Sequence, residues 1–168
     1  RAAVADDYVE SRLVNRDLAD LDPIPGWLVA ARKDIGQAET LGPNDSPWIR
    51  RVLAQFGAAW LLGQPWCGVA IADWMTAANI PIPKHYYRAR AWLDWGKPCT
   101  PRLGAVVVFS RGAAGHVGLL AGVDQYGRLM VLGGNQGNRV SIMPFDQSRV
   151  LGCRWPAEND RQFAGLPM

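Results

Sequence analysis

The sequence changes its periodicity once, at Gly104, and that switch limits the folds open to it. Ahead of Gly104, apolar residues recur at helical spacing: Ile24, Trp27, Leu28, Ala31 and Ile35 form one stripe closed by Gly36, and Val52, Leu53, Phe56 and Trp60 form a second that ends at Gly63. The run 67–79 is apolar nearly all round, as a helix inside a core would be, with Asp73, Thr76 and Asn79 as its one polar stripe. Pro81 and Pro83 end it, and 87–95 reads as a further short helix. After Gly104 come short β-rich runs at 105–109, 116–123, 128–132, 139–142 and 150–155, separated by Gly, Asp and Asn turns. Helices first and antiparallel strands second predict an α+β fold with the helices packed on the sheet.

Charge divides the chain further. Residues 1–22 hold Asp6, Asp7, Glu10, Asp17, Asp20 and Asp22 against Arg1, Arg12 and Arg16, and Asp22-Pro23-Ile24-Pro25-Gly26 then breaks any helix. This segment reads as an acidic arm or linker, 23–156 as one domain and 157–168 as a polar tail. The whole chain of 168 residues carries +3 and the arm −3, so the rest carries +6. Such a charge favours an anionic polymer, nucleic acid or bacterial cell wall. Without a dense Lys/Arg stripe interleaved with aromatics, nucleic acid is not the expected partner. The longest apolar stretch, 52–63, is interrupted by Gln55 and falls short of the roughly 20 residues that span a bilayer. The chain opens on Arg1 with no signal-peptide pattern, so an export or delivery route is not legible.

Three cysteines, Cys67, Cys99 and Cys153, show no CxxC pairing, and the two histidines lie far apart, so neither a zinc site nor any other cofactor is expected. Cys67 opens the 67–79 helix in Pro65-Trp66-Cys67-Gly68, where the first backbone N–H groups and the macrodipole favour an anion. A thiolate there is expected at lowered pKa; a buried structural cysteine is the plainer alternative. His116, in Gly115-His116-Val117-Gly118, stands at the mouth of a strand where an imidazole can take a thiol proton and return it to a leaving amine.

If Asp124-Gln125-Tyr126-Gly127 is a hairpin turn, residue 116 faces residue 135 across the ladder. That residue is Asn135, whose amide oxygen would hold the imidazole as in Cys-His-Asn sites. Gly and Asn in Gly133-Gly134-Asn135-Gln136 equally suit a plain turn, and Gln136 is the next amide to test should the register differ. The Cys67 backbone N–H and Gln64 are candidate oxyanion donors. Trp66 and Trp92 are the candidate groove aromatics among eight tryptophans whose default is core packing. His85, beside Lys84, Tyr86 and Tyr87, reads as a surface residue of a loop that could border the cleft.

The run Cys67-Gly68-Val69-Ala70-Ile71-Ala72-Asp73-Trp74, with Gly104-Ala105-Val106-Val107-Val108-Phe109 and Gly115-His116-Val117-Gly118, resembles the NlpC-type and CHAP-type cell-wall cysteine peptidases. It looks closest to a phage- and prophage-associated branch with Pro-Trp-Cys, Gly-His-Val-Gly, Gly-Gly-Asn-Gln and a closing Arg-Trp-Pro, here Arg154-Trp155-Pro156. The likeness covers about 24–156 and includes Trp27, Ala31, Arg32 and Gly36-Gln37-Ala38-Glu39. It implies a papain-like fold and peptidoglycan amide hydrolysis with Cys67 as nucleophile, His116 as base and Asn135 as third member. Two departures stand out: the NlpC type usually has Asp-Cys-Ser and a third histidine, and the CHAP type usually has Glu-x-Asn where Gly133 stands here.

The expected function is therefore a peptidoglycan amide hydrolase, endopeptidase or N-acetylmuramoyl-L-alanine amidase, of endolysin or antibacterial-effector type. It would act in the periplasm or the extracellular cell wall, with a cognate immunity protein as partner if it is an effector. The rivals are a related acyltransferase, a non-catalytic wall-binding module, and a structural domain of a phage tail or secretion machine. In an oxidising compartment Cys99 and Cys153, near the first and last strands, are candidates for a disulfide.

Overall fold

Residues 24–42 and 45–157 are described by the structure, a computed structural model. The acidic arm at 1–22 and the tail beyond 157 lie outside the described residues. Helix α1, Gly26–Lys33, follows Pro25 and buries Trp27, Leu28 and Ala31, the stripe its spacing marks out. The Trp27 indole donates to the Gly104 carbonyl at 2.7 Å and meets Trp155 edge-on at 5.1 Å. Helix α1 is thereby tied to the chain just ahead of Val106 and to the end of the last strand.

Helix α2, Pro47–Gln55, sits earlier than the Val52-to-Trp60 stripe suggests. Its start is set by chemistry outside the apolar pattern: Ser46 Oγ accepts from the Ile49 N–H at 3.2 Å, and Pro47 occupies the first turn, where no N–H is needed. Its end comes before Trp60 because Gly57 turns the chain at φ 62°. Trp60 then falls in a separate 3-10 turn, Ala59–Leu61, and is 66% exposed.

Helix α3, Cys67–Ala77, is buried along most of its length, including Ile71, Ala72, Trp74 and Met75. It packs against α1 and α2 and also against the sheet strands β3 and β4 introduced below, so it forms the centre of the core. It stops where Asn79 takes a left-handed conformation at φ 60°, one residue past the C-cap. The expected short helix at 87–95 is a 3-10 turn, Ala89–Asp94.

Six strands form one antiparallel sheet: β1 Lys97–Pro98, β2 Val106–Phe109, β3 His116–Val123, β4 Leu129–Gly133, β5 Ser141–Phe145 and β6 Val150–Trp155, in the order β1-β6-β2-β3-β4-β5. The α+β expectation therefore holds. The strand foreseen at 139–142 lies farther along, because Arg139 instead bridges to Ala38 outside the sheet. β1 has no sequence signature; it is two residues pairing with the end of β6.

That pairing brings the backbone N–H of Cys99 to the carbonyl of Cys153 at 3.2 Å. The first and last strands in sequence are neighbours as expected, but both thiols are free. Among the described residues, no helix is long and apolar enough to cross a membrane.

Candidate active site

The Cys67 thiol sits at the first residue of α3, whose N-terminus has no side-chain cap. The backbone N–H groups of Val117, Gly68 and Cys67 itself turn toward the sulfur, and the Arg111 guanidinium adds a nearby positive charge; all four lower its pKa. Burial outweighs them, and the thiol titrates above its ordinary range. This corrects the expectation of a lowered pKa: the helix terminus acts as foreseen, but only 7% of the residue is exposed. The thiol is protonated at neutral pH.

Val117 is the second residue of β3, so its contact with the sulfur places the thiol beside the strand mouth where His116 stands. The His116 ring is buried, lying flat on Phe145 with ring centres 5.2 Å apart. Its Nε2 is 2.9 Å from Gln136 Oε1. The Gln136 amide nitrogen donates to the carbonyls of Val131 at 3.0 Å and Ser141 at 2.8 Å. Carbonyls can only accept, so both amide protons are spent and the oxygen must be the atom that faces the ring. Nε2 therefore carries the imidazole proton, and Nδ1 keeps the basic lone pair. Arg111 Nη1 lies 3.4 Å from Nδ1. Burial first, then the charges of Arg111 and Arg149, pull His116 down to about 4 against the opposing Gln136 hydrogen bond.

The amide that orients the imidazole is thus Gln136 and not Asn135. The expected register holds at Leu119–Leu132 and Leu120–Val131, but a bulge between Leu120 and Gly122 shifts the pairing by one nearer the turn, and β4 ends at Gly133 and never reaches residue 135. Asn135 is the turn itself, at φ 57°, and it swings Gln136 back beneath the ring. A side chain on Gly133 would collide with the Gln136 amide, which is why that position is bare. The neighbouring Gly134 packs against Trp66 and Ala70 of the Cys67 segment. Behind the turn, Glu39 N–H donates to the Asn138 carbonyl at 3.0 Å and Val140 N–H to the Gln37 carbonyl at 2.8 Å. The Gly36-Gln37-Ala38-Glu39 run thereby buttresses the loop that carries Gln136.

A groove of about 550 Å³ opens onto the thiol, lined in part by Trp60, Gln64, Tyr87, Arg88 and Arg90. Gln64 is exposed on this wall, as a candidate oxyanion donor must be. Neither expected groove tryptophan lies there. Trp92 is fully buried and donates to the Tyr86 carbonyl at 2.9 Å, and Trp66 is buried edge-on to Trp48. The groove aromatics are Trp60 and Tyr87, in edge-on contact at 5.1 Å. Trp60 was hidden by its fit to the α2 stripe. Tyr87 is placed by the loop that lies across Gly68, where a Cβ would strike the Tyr86 carbonyl. His85 in that loop is exposed and pairs with the Tyr87 hydroxyl at 3.1 Å.

A thiol at a helix N-terminus, a neutral imidazole with a fixed tautomer and an open groove can together carry acyl transfer. Among the described residues, no group of three His, Cys, Asp or Glu could hold a metal ion. Compared with known proteins, the sequence matches no family model and no curated protein at significant similarity.

Proposed function

We propose that this protein is a papain-like cysteine hydrolase that cuts an amide bond of bacterial peptidoglycan, with Cys67 as nucleophile, His116 as base and Gln136 as the residue that positions the base. The observation that carries the reading is the Gln136–His116 bond, with both Gln136 amide protons committed elsewhere. A buried amide so constrained fixes Nδ1 as the basic nitrogen at a strand mouth whose next N–H touches the Cys67 sulfur.

Because thiol and imidazole are both neutral at rest, the proton moves as the bond forms. Cys67 Sγ attacks the substrate carbonyl while its proton passes to His116 Nδ1. The proton then goes to the departing amine nitrogen as the C–N bond breaks, leaving a thioester on Cys67. Water attacks the thioester, gives a proton to Nδ1 and releases the acid, and the proton returns to sulfur. In this reading the Cys67 N–H and Gln64, which lines the same groove, are the candidate oxyanion donors in both halves.

Purified sacculi incubated with the full chain should release muropeptides whose masses name the bond cut. Cys67→Ser should lose at least about 10³-fold in rate while keeping the wild-type unfolding midpoint. A serine variant that releases the same products at the same rate overturns the mechanism. An intact protein that binds sacculi and releases nothing points instead to a wall-binding module.

A further inference from the structure

The groove's charge is one-sided. Arg88 and Arg90 line it with Cys67, and among the described residues no Asp or Glu lines it. Arg111 stands at the strand mouth, 3.4 Å from the His116 ring. These three guanidiniums differ in what they are committed to. Arg90 donates through Nε to the Ala113 carbonyl at 2.9 Å and through Nη2 to the Gly112 carbonyl at 3.5 Å, so it serves the 111–115 loop. Arg88 is exposed, its guanidinium 5.7 Å from the Tyr87 ring centre, a contact that leaves its N–H edge open to a ligand. Arg111 touches the imidazole only at long hydrogen-bond range and through a nitrogen that must be vacated when His116 takes a proton.

A guanidinium binds a carboxylate through two parallel N–H···O bonds and does not reproduce that geometry with a neutral amide. We propose that the groove selects an acyl substrate carrying a free carboxylate beside the scissile amide, seated by Arg88 on the groove wall and drawn by the positive charge of Arg111 at the strand mouth. The inference deepens the hydrolase reading and rests on it for the word substrate; the charge selectivity belongs to the Cys67 thiol whatever that thiol attacks. The same positive field accounts for the direction in which Arg111 moves both reacting groups, favouring thiolate over thiol and neutral imidazole over imidazolium.

Two haloacetyl reagents of nearly equal size read the charge without any hydrolysis: iodoacetate, an anion, and iodoacetamide, its neutral counterpart. Alkylation of Cys67 in the full chain is followed by mass spectrometry of the Cys67 peptide, each rate normalised to that of N-acetylcysteinamide. Iodoacetate should be preferred by roughly tenfold at low salt, and the preference should fall about threefold or more in Arg88→Gln and in Arg111→Gln, and vanish near 1 M salt. Arg88→Lys should retain part of it. Equal normalised rates, a preference unchanged in both variants, or a thiol that iodoacetate does not reach overturns the proposal.

A second arm uses muropeptides with free or amidated carboxylates. Arg88→Gln should raise KM by a larger factor for the free acid than for the amidated substrate, with the difference in KM and not in kcat. Loss of hydrolysis everywhere with the iodoacetate preference intact would defeat the hydrolase reading and leave the anion selectivity standing. Equal effects of Arg88→Gln on both substrates would defeat the carboxylate assignment and leave the hydrolase reading standing.

Discussion

At the scale of single residues, Asn135 and Gln136 show two amides doing different jobs one position apart. Asn135 needs a left-handed backbone at φ 57°, which glycine adopts freely, and its side chain is not the ring's partner. Asn135→Gly should therefore keep nearly full turnover. Gln136→Ala strips the imidazole Nε2–H and the carbonyls of Val131 and Ser141 of their partner, all in a buried setting. It should lower kcat by tenfold or more and cost roughly 1–3 kcal/mol in stability. Gln136→Glu loses the same two donors to Val131 and Ser141 as the alanine variant, but its carboxylate beside Nε2 raises the His116 pKa, so it alone should move the acid limb of kcat/KM upward. The reverse ranking of Asn135→Gly and Gln136→Ala would restore Asn135 to the site.

The same histidine links stability to pH. Its folded-state pKa of about 4 lies below the ordinary value of 6.5, so between those values the unfolded chain binds the extra proton. The stabilisation is complete above pH 6.5 and is lost as pH falls toward 4, by about 3 kcal/mol if this group acts alone. Urea midpoints measured from pH 7.5 down to 4.5 should fall in wild type and flatten in His116→Phe. Of these residues Cys67 and His116 were legible in the sequence, because thiol and imidazole have few partners that suit their chemistry. Gln136 was not, because the Gly133-Gly134-Asn135 turn was legible but not the way it folds back, and that depends on Asn135 at φ 57° and on the Gln136 bonds to Val131 and Ser141.

At the scale of elements, the apolar pattern located helices well where their ends were also written in it. The 67–79 run and α3 nearly coincide, since Cys67 follows a proline-led turn and Asn79 closes the helix. It misplaced α2, whose boundaries are set by Ser46, Pro47 and Gly57 and not by the stripe. The Ser46 cap has a measurable role: the residue is buried, and its hydroxyl satisfies the Ile49 N–H. Ser46→Ala should lower the unfolding free energy by about 1 kcal/mol, read as a shift in urea midpoint at constant slope, and Ser46→Asp should recover most of it. No change in midpoint would mean that Pro47 alone fixes the start of the helix. The strand boundaries at β3 and β6 were read to the residue, because each begins and ends at turn chemistry. β1 escaped because a two-residue strand has no period to detect.

For the molecule as a whole, charge is distributed by segment and by face. The 22-residue arm is net −3 while the chain beyond it is +6, and Arg88, Arg90 and Arg111 concentrate part of that positive charge about the candidate groove. If the partner is an anionic wall polymer, attraction between exposed charges should weaken as salt shortens its range, from about 10 Å at 0.1 M to 3 Å at 1 M. The arm then matters as a repulsive element, because its acids oppose the same polymer that the domain attracts. Deleting residues 1–22 doubles the net charge from +3 to +6. In sacculus pull-downs the shortened chain should bind more tightly than the full chain at low salt, and the two should converge near 1 M. Binding that is indifferent to both salt and the arm would assign attachment to stacking on Trp60 and Tyr87 instead of charge. Trp60→Ala would then be the substitution that releases the protein from the wall.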